Sequence, residues 1–145
     1  MSRKNDRKHA LCLVFAREFN ENDIEYYKNH FAVEALDAPV KEGEFVDRVV
    51  RGICENKEQI DALISASCTA SWSFSRLSKV DLSIMRLATY EMLFEEDIAP
   101  SVSINEAVDI AKEFSTEEAG KFVNGVLGDI LSKINNAGTG AKNAD

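Results

Sequence analysis

Apolar residues recur at three- and four-residue steps along nearly the whole chain, the period of an amphipathic helix. Ala10, Leu11, Val14 and Phe15 form the first stripe. Ile24, Tyr27, Phe31 and Ala35 form a second, between a polar break at Asn20 to Asp23 and Asp37-Ala38-Pro39. Proline closes that segment because it disfavours helix in the residue before it. Phe45, Val46, Val49, Val50 and Ile53 form a third stripe, whose phase weakens near Asn56 before Ile60, Leu63 and Ile64 continue it as a separate short helix. Ser65 to Ser75 is small and polar apart from Trp72 and Phe74, and predicts the junction between two halves.

The second half repeats the pattern. Ser78 reads as an N-cap with Asp81 in the first turn, followed by Val80, Ile84, Leu87, Ala88, Met92 and Leu93. Ala99-Pro100 stops that helix, and Ser101 or Ser103 starts the next, with Ile104, Ala107, Val108 and Ala111 inward. Ser115 and Glu118 fit a capping box ahead of a stripe of Val123, Val126, Leu127, Ile130, Leu131 and Ile134. No strand alternation competes with these readings. The pattern predicts an all-α fold of about six or seven helices in two small packed bundles. The expected divisions are an N-terminal subdomain over residues 1–70, a C-terminal one over 71–135, and a disordered tail over 136–145.

Charge changes the picture more than bulk composition does. The 145 residues carry a net charge of −8, which argues against indiscriminate nucleic-acid binding. The distribution is uneven. Arg3, Lys4, Arg7 and Lys8 face only Asp6 at the start, whereas Glu18 to Asp47 is strongly acidic. A basic end on an acidic body can bind RNA locally while the body repels it; solvated helix surfaces are the bland alternative. No apolar run approaches the ~20 residues of a membrane span, and no signal-peptide core follows the N-terminus, so a cytoplasmic protein is expected.

Catalytic chemistry is hard to find. Cys12, Cys54 and Cys68 are too far apart for a zinc or redox motif and read as small buried hydrophobes. There is no phosphate loop and no nucleophile beside a base. Neither a metal nor a cofactor is expected, and Glu95-Glu96-Asp97 reads as a solvated turn. The binding chemistry is richer. Lys121, Asn124 and Gly128 share one helical face, with Phe122 about 100° round from Lys121. Cation, amide and aromatic together suit single-stranded nucleic acid. The alternative puts Phe122 in the core and Asn124 on a neighbouring backbone. Gly125 and Gly128 each cost a helix about 1 kcal/mol relative to alanine, which a close approach by another helix or a ligand would explain. Trp72 is either a core anchor or a stacking residue. Phe15 lies at the end of its stripe, within reach of a partner.

The chain resembles the NusB family of bacterial transcription antitermination factors. The resemblance rests on Trp72, Arg76-Leu77, Val80-Asp81, Ile84-Met85-Arg86-Leu87-Ala88 and Tyr90-Glu91. It continues through Val102 to Val108, Ala111-Lys112 and Lys121 to Leu127. It implies two three-helix bundles and no enzyme activity. It implies pairing with NusE, a ribosomal protein of the small subunit, binding of boxA RNA by the pair, and entry into an RNA polymerase antitermination complex, notably in ribosomal RNA transcription. Carried over by position, the RNA side comprises Arg3, Lys4, Arg7, Lys8, Lys121, Phe122 and Asn124; the NusE side comprises Phe15 and Asp81. Asn5 and Asp6 dilute the family's basic N-terminal run, so low RNA affinity is expected of the lone chain. A protein-interaction module of the same fold with little RNA affinity is the alternative, and a homodimer that hides the RNA face is a third reading.

Overall fold

The computed structural model describes residues 3–18, 43–68 and 73–137, with the side chains of 16–18 left aside. The expected second stripe, Trp72 and the tail beyond Ala137 lie outside the described residues. Within them the protein is all-α. The helices are α1 (Arg3–Glu18), α2 (Phe45–Glu55), α3 (Lys57–Ser67), α4 (Lys79–Phe94), α5 (Pro100–Phe114) and α6 (Glu117–Ala137), with a short 3₁₀ turn at Phe74–Arg76. No described helix is long and apolar enough to cross a membrane.

α4 is the centre of the molecule. Ser78 caps it as expected, its Oγ accepting from the Asp81 backbone N–H at 3.0 Å. Every residue from Ser83 to Leu93 is buried, and α4 touches each of the other five helices. A helix apolar on all sides has no solvent face to satisfy and becomes the core. Ile84, Met85, Met92 and Leu93 are nearly or wholly excluded from solvent. Each such side chain contributes about 1.5–3 kcal/mol relative to exposure. They form one continuous apolar cluster with residues of every other helix, including Val49, Ile60, Ile110, Val123, Leu127 and Ile130.

The polar residues of so buried a helix need partners, and these set the positions of its neighbours. Arg86 donates twice to Asp61 of α3, at 2.8 Å each. Glu91 receives both a bidentate pair from Arg7 of α1 and the Ser103 hydroxyl of α5. Tyr90 donates to Glu95 at 3.0 Å, and Arg48 of α2 clamps the same carboxylate. α2 approaches closely because Gly52 has no side chain: a Cβ there would lie 2.0 Å from Cε1 of Tyr90.

Three local expectations shift. α5 starts at Pro100 rather than at Ser101 or Ser103, since proline is pre-set for the first helical position. Ser103 is buried and spends its hydroxyl on Glu91. The α6 cap is Thr116, whose Oγ1 accepts from Ala119 N–H at 2.9 Å, so the Ser115–Glu118 box does not form. The phase change at Asn56 has a cause: its side-chain amide donates back to the Gly52 carbonyl at 2.8 Å, closing α2 before α3 begins. Of the cysteines, only Cys12 is buried, and burial pushes its thiol up to about 11; Cys54 is exposed.

Candidate nucleic-acid interface

The four cations in the first two turns of α1 divide between two neighbours. Arg3 and Arg7, one turn apart, lie beside the Phe45 ring of α2, with guanidinium carbons 4.1 and 6.0 Å from its centroid. Lys4 and Lys8 occupy the adjoining flank and meet α5. Lys4 Nζ stands 3.8 Å from Glu106. Lys8 Nζ stands 2.9 Å from Glu113 and 5.8 Å from the centre of the Phe114 ring. Arg3 and Lys4 are exposed and Lys8 is half-buried. Arg7 is only 3% exposed. Its two 2.8 Å bonds to Glu91 commit the guanidinium to the interior, so it is not a surface group in this chain. Arg7 turns inward because the side opposite the exposed row faces α4, where Glu91 needs a counter-charge.

The α6 residues form the second cluster. Lys121 and Asn124 are exposed on the outer face. Gly125 and Gly128 lie beside them, and a Cβ at either would meet nothing within 4 Å. Close packing by another helix therefore does not account for these two glycines. The glycine that packs is Gly120, over which the Lys112 side chain lies: a Cβ there would sit 2.6 Å from Lys112 Cγ. Lys112 follows the helix to within 4.0 Å of Glu117. Lys112 and Glu113 are consecutive on α5, one reaching α6 and the other α1. α5 thus lies between α1 and the start of α6.

Phe122 is half-buried. With Asp81, Ser78, Ser115, Thr116 and Glu118 it lines a cleft of about 330 Å³ between the start of α4 and the α5–α6 turn. Sequence reading assigns Asp81 and Phe122 to different ligands, whereas the fold puts them on one cleft. Asp81 is 6% exposed, and its Oδ1 has no hydrogen-bond partner. Burial pushes this carboxyl above the usual range, against a smaller opposing pull from the Ser78 hydroxyl. Phe15 is 5% exposed and belongs to the core, so the ring is not on the surface for a partner to reach.

The acidic residues that face the basic row are Glu106 and Glu113. Glu106 pairs with Lys4, and its neighbour Asn105 is exposed. Glu95, read as part of a solvated turn, is largely buried. Burial pulls its carboxyl up, but the bonds from Arg48 and Tyr90 outweigh this and hold it below the usual range. The seven-residue spacing of Glu106 and Glu113 put both on one helical face. Nothing local tied that face to lysines about a hundred positions earlier. Among the described residues no group of three His, Cys, Asp or Glu side chains is placed to hold a metal ion.

Comparisons with known proteins identify the family. The NusB family model matches residues 4–132. The transcription antitermination protein NusB of Clostridium acetobutylicum is 42% identical over 136 residues, covering 91% of this chain and 96% of that protein. Its counterpart in Acetivibrio thermocellus is 39% identical over 145 residues, with 100% and 99% covered. Among solved structures, T. maritima NusB superposes with a TM-score of 0.74 at 42% identity, covering 92% of each chain. A chain from a complex of the antitermination factors NusB and NusE with double-stranded RNA gives a TM-score of 0.69 at 29% identity, covering 90% of this chain and 96% of that one. With the family model matched over most of its length, this chain belongs to the NusB family.

Proposed function

We propose that this chain is a transcription antitermination factor that binds boxA-type RNA as a heterodimer with the ribosomal protein NusE. It then acts on RNA polymerase, notably in ribosomal RNA transcription, in the cytoplasm and without enzyme activity of its own. The observation that carries this reading is the set of cations Arg3, Lys4 and Lys8 on α1, with Lys121 and Asn124 exposed on α6, in a chain similar to one solved with NusE and RNA. Arg3, Lys4 and Lys8 reach phosphates, while Asn124 and the open edge of Phe122 meet bases. Arg7 serves this surface from below by pinning α1 to Glu91. Asp81 serves NusE from the opposite wall of the cleft it shares with Phe122, and Phe15 belongs to the core beneath α1. The two three-helix subdomains, residues 1–70 and 71–135, are part of the same reading.

Gel-shift titration with a boxA RNA oligonucleotide, with and without NusE, tests the proposal. Binding that strengthens with NusE is expected; no binding in either case at low salt overturns it. Phe122→Ala is expected to weaken binding by about tenfold, as loss of one base stack does, with the variant still folded by circular dichroism.

A second reading, a protein-interaction module with little RNA affinity, is favoured by the net charge of −8 and by the ion pairs on Lys4 and Lys8. It predicts that the heterodimer binds RNA no better than NusE alone. Light scattering over a concentration series tests the homodimer, and monomer throughout removes it.

A further inference from the structure

We propose that Glu106 and Glu113 act as built-in competitors for RNA, holding Lys4 and Lys8 in the places that phosphates would otherwise occupy. The inference rests on the reading of α1 as an RNA-binding helix. It adds that the free chain masks itself and that two named carboxylates set its affinity.

The geometry separates these pairs from the rest of the ionic network. Arg7–Glu91 is sealed, with side chains 4% and 1% exposed, and no solute can exchange with it. Lys4–Glu106 has 48% and 26% of its side chains exposed, and Lys8–Glu113 has 15% and 48%. Both outer pairs are thus open to solvent on at least one side. Exposed pairs are weak and sensitive to salt, so a polyanion can displace them. Displacement has a cost beyond the lost bond, because each freed carboxylate stays beside the incoming phosphate. Asp109 stands exposed on the same face, three residues on from Glu106 and four before Glu113. Glu106 Oε2 accepts no hydrogen bond, so the 3.8 Å approach of Lys4 is its main compensation. α5 thus carries an acidic edge along the length of the basic row.

The test is fluorescence anisotropy with a boxA RNA oligonucleotide at low salt, on the full chain with and without NusE. The variants are Glu106→Gln/Glu113→Gln, Lys4→Gln/Lys8→Gln, all four together, and the charge-matched control Glu55→Gln/Glu58→Gln on α2 and α3. Thermal melts establish that each variant is folded. The expected result is a gain of about three- to tenfold for the Glu106/Glu113 variant, the scale of two exposed pairs. That gain should vanish in the quadruple variant and be absent from the control. A gain of equal size in the control, or one that survives without the lysines, overturns the proposal in favour of a general charge effect. No gain, with Lys4→Gln/Lys8→Gln still weakening binding, overturns masking and leaves the RNA reading standing. If the lysine variant binds as the parent does, or no protein binds, the RNA reading falls and masking falls with it.

Discussion

The inner faces of α4 and the outer face of α6 use the same ingredients to opposite ends. Each involves a helix-interior glycine, on α2 against α4 in the first case and on α6 itself in the second, and a carboxylate paired with a cation. Around α4, Gly52 is filled to contact by the Tyr90 ring, and Arg7 meets Glu91 out of reach of water. On α6, Gly125 and Gly128 face open space, and Lys133 pairs with Asp129 at the exposed surface. The two regions differ most in burial, and the buried pair also joins two helices where the exposed pair lies within one. Burial turns a weak surface contact into a constraint on helix position, and leaves the other face free to be spent on a ligand.

The largest expected effect tests the ion pairs. Arg7→Met leaves the Glu91 carboxylate buried without its charge partner, and should cost about 3–5 kcal/mol in urea unfolding. Lys133→Gln, the matching change on α6, should cost less than about 1 kcal/mol. Similar losses from the two would remove burial as the explanation.

The glycines give the next largest contrast. Gly52→Ala puts a methyl group inside the Tyr90 ring and should destabilise by about 1–3 kcal/mol. Gly128→Ala should raise stability by about 1 kcal/mol, since the new Cβ meets nothing and alanine favours helix. Thermal melts read both. If Gly128→Ala also weakens boxA binding, its place on the outer face is functional; unchanged affinity makes it an unused site for stabilisation.

The smallest effect is a pH dependence at the boundary between the two regions. The folded pKa of Asp81 lies above its ordinary value of 3.8, so the folded chain holds that proton more tightly than the unfolded chain. The resulting penalty is absent below 3.8 and complete once the pH exceeds the folded value. Asp81→Asn should therefore stabilise at pH 7, by less than about 1 kcal/mol because the helix N-terminus favours the charge. The gain should shrink as the pH falls toward 4. Glu95 has the opposite sign: its depressed pKa contributes stability above its ordinary value of 4.5, lost as the pH falls through the folded value. A Tm difference between parent and Asp81→Asn that does not change with pH would place the effect in packing instead.

Much of this was legible along the chain, for reasons that are local. Helix period and the Ser78 cap act within a turn or two, so residue order alone carries them, whereas Pro100 opens a helix rather than stopping the one before it, which ends at Phe94. The last stripe, Val123 to Ile134, is buried almost as its spacing implies. The family motifs likewise led to the right class of protein. Caps at adjacent positions were harder: Ser115 and Thr116 both offer a hydroxyl, and only the backbone geometry chooses between them.

Residue order settles the helical class and the family, and it places the boundaries at Asn56 and Ser78. Each depends on interactions between near neighbours or on ordered motifs. Tertiary structure alone decided which charges are tools and which are struts. Arg7 and Lys8 are adjacent cations of the same chemistry, yet their side chains leave the helix about 100° apart. One direction ends at Glu91 in the core, the other at Glu113 in water. That outcome depends on partners 84 and 105 residues away, which only the packed fold brings into contact.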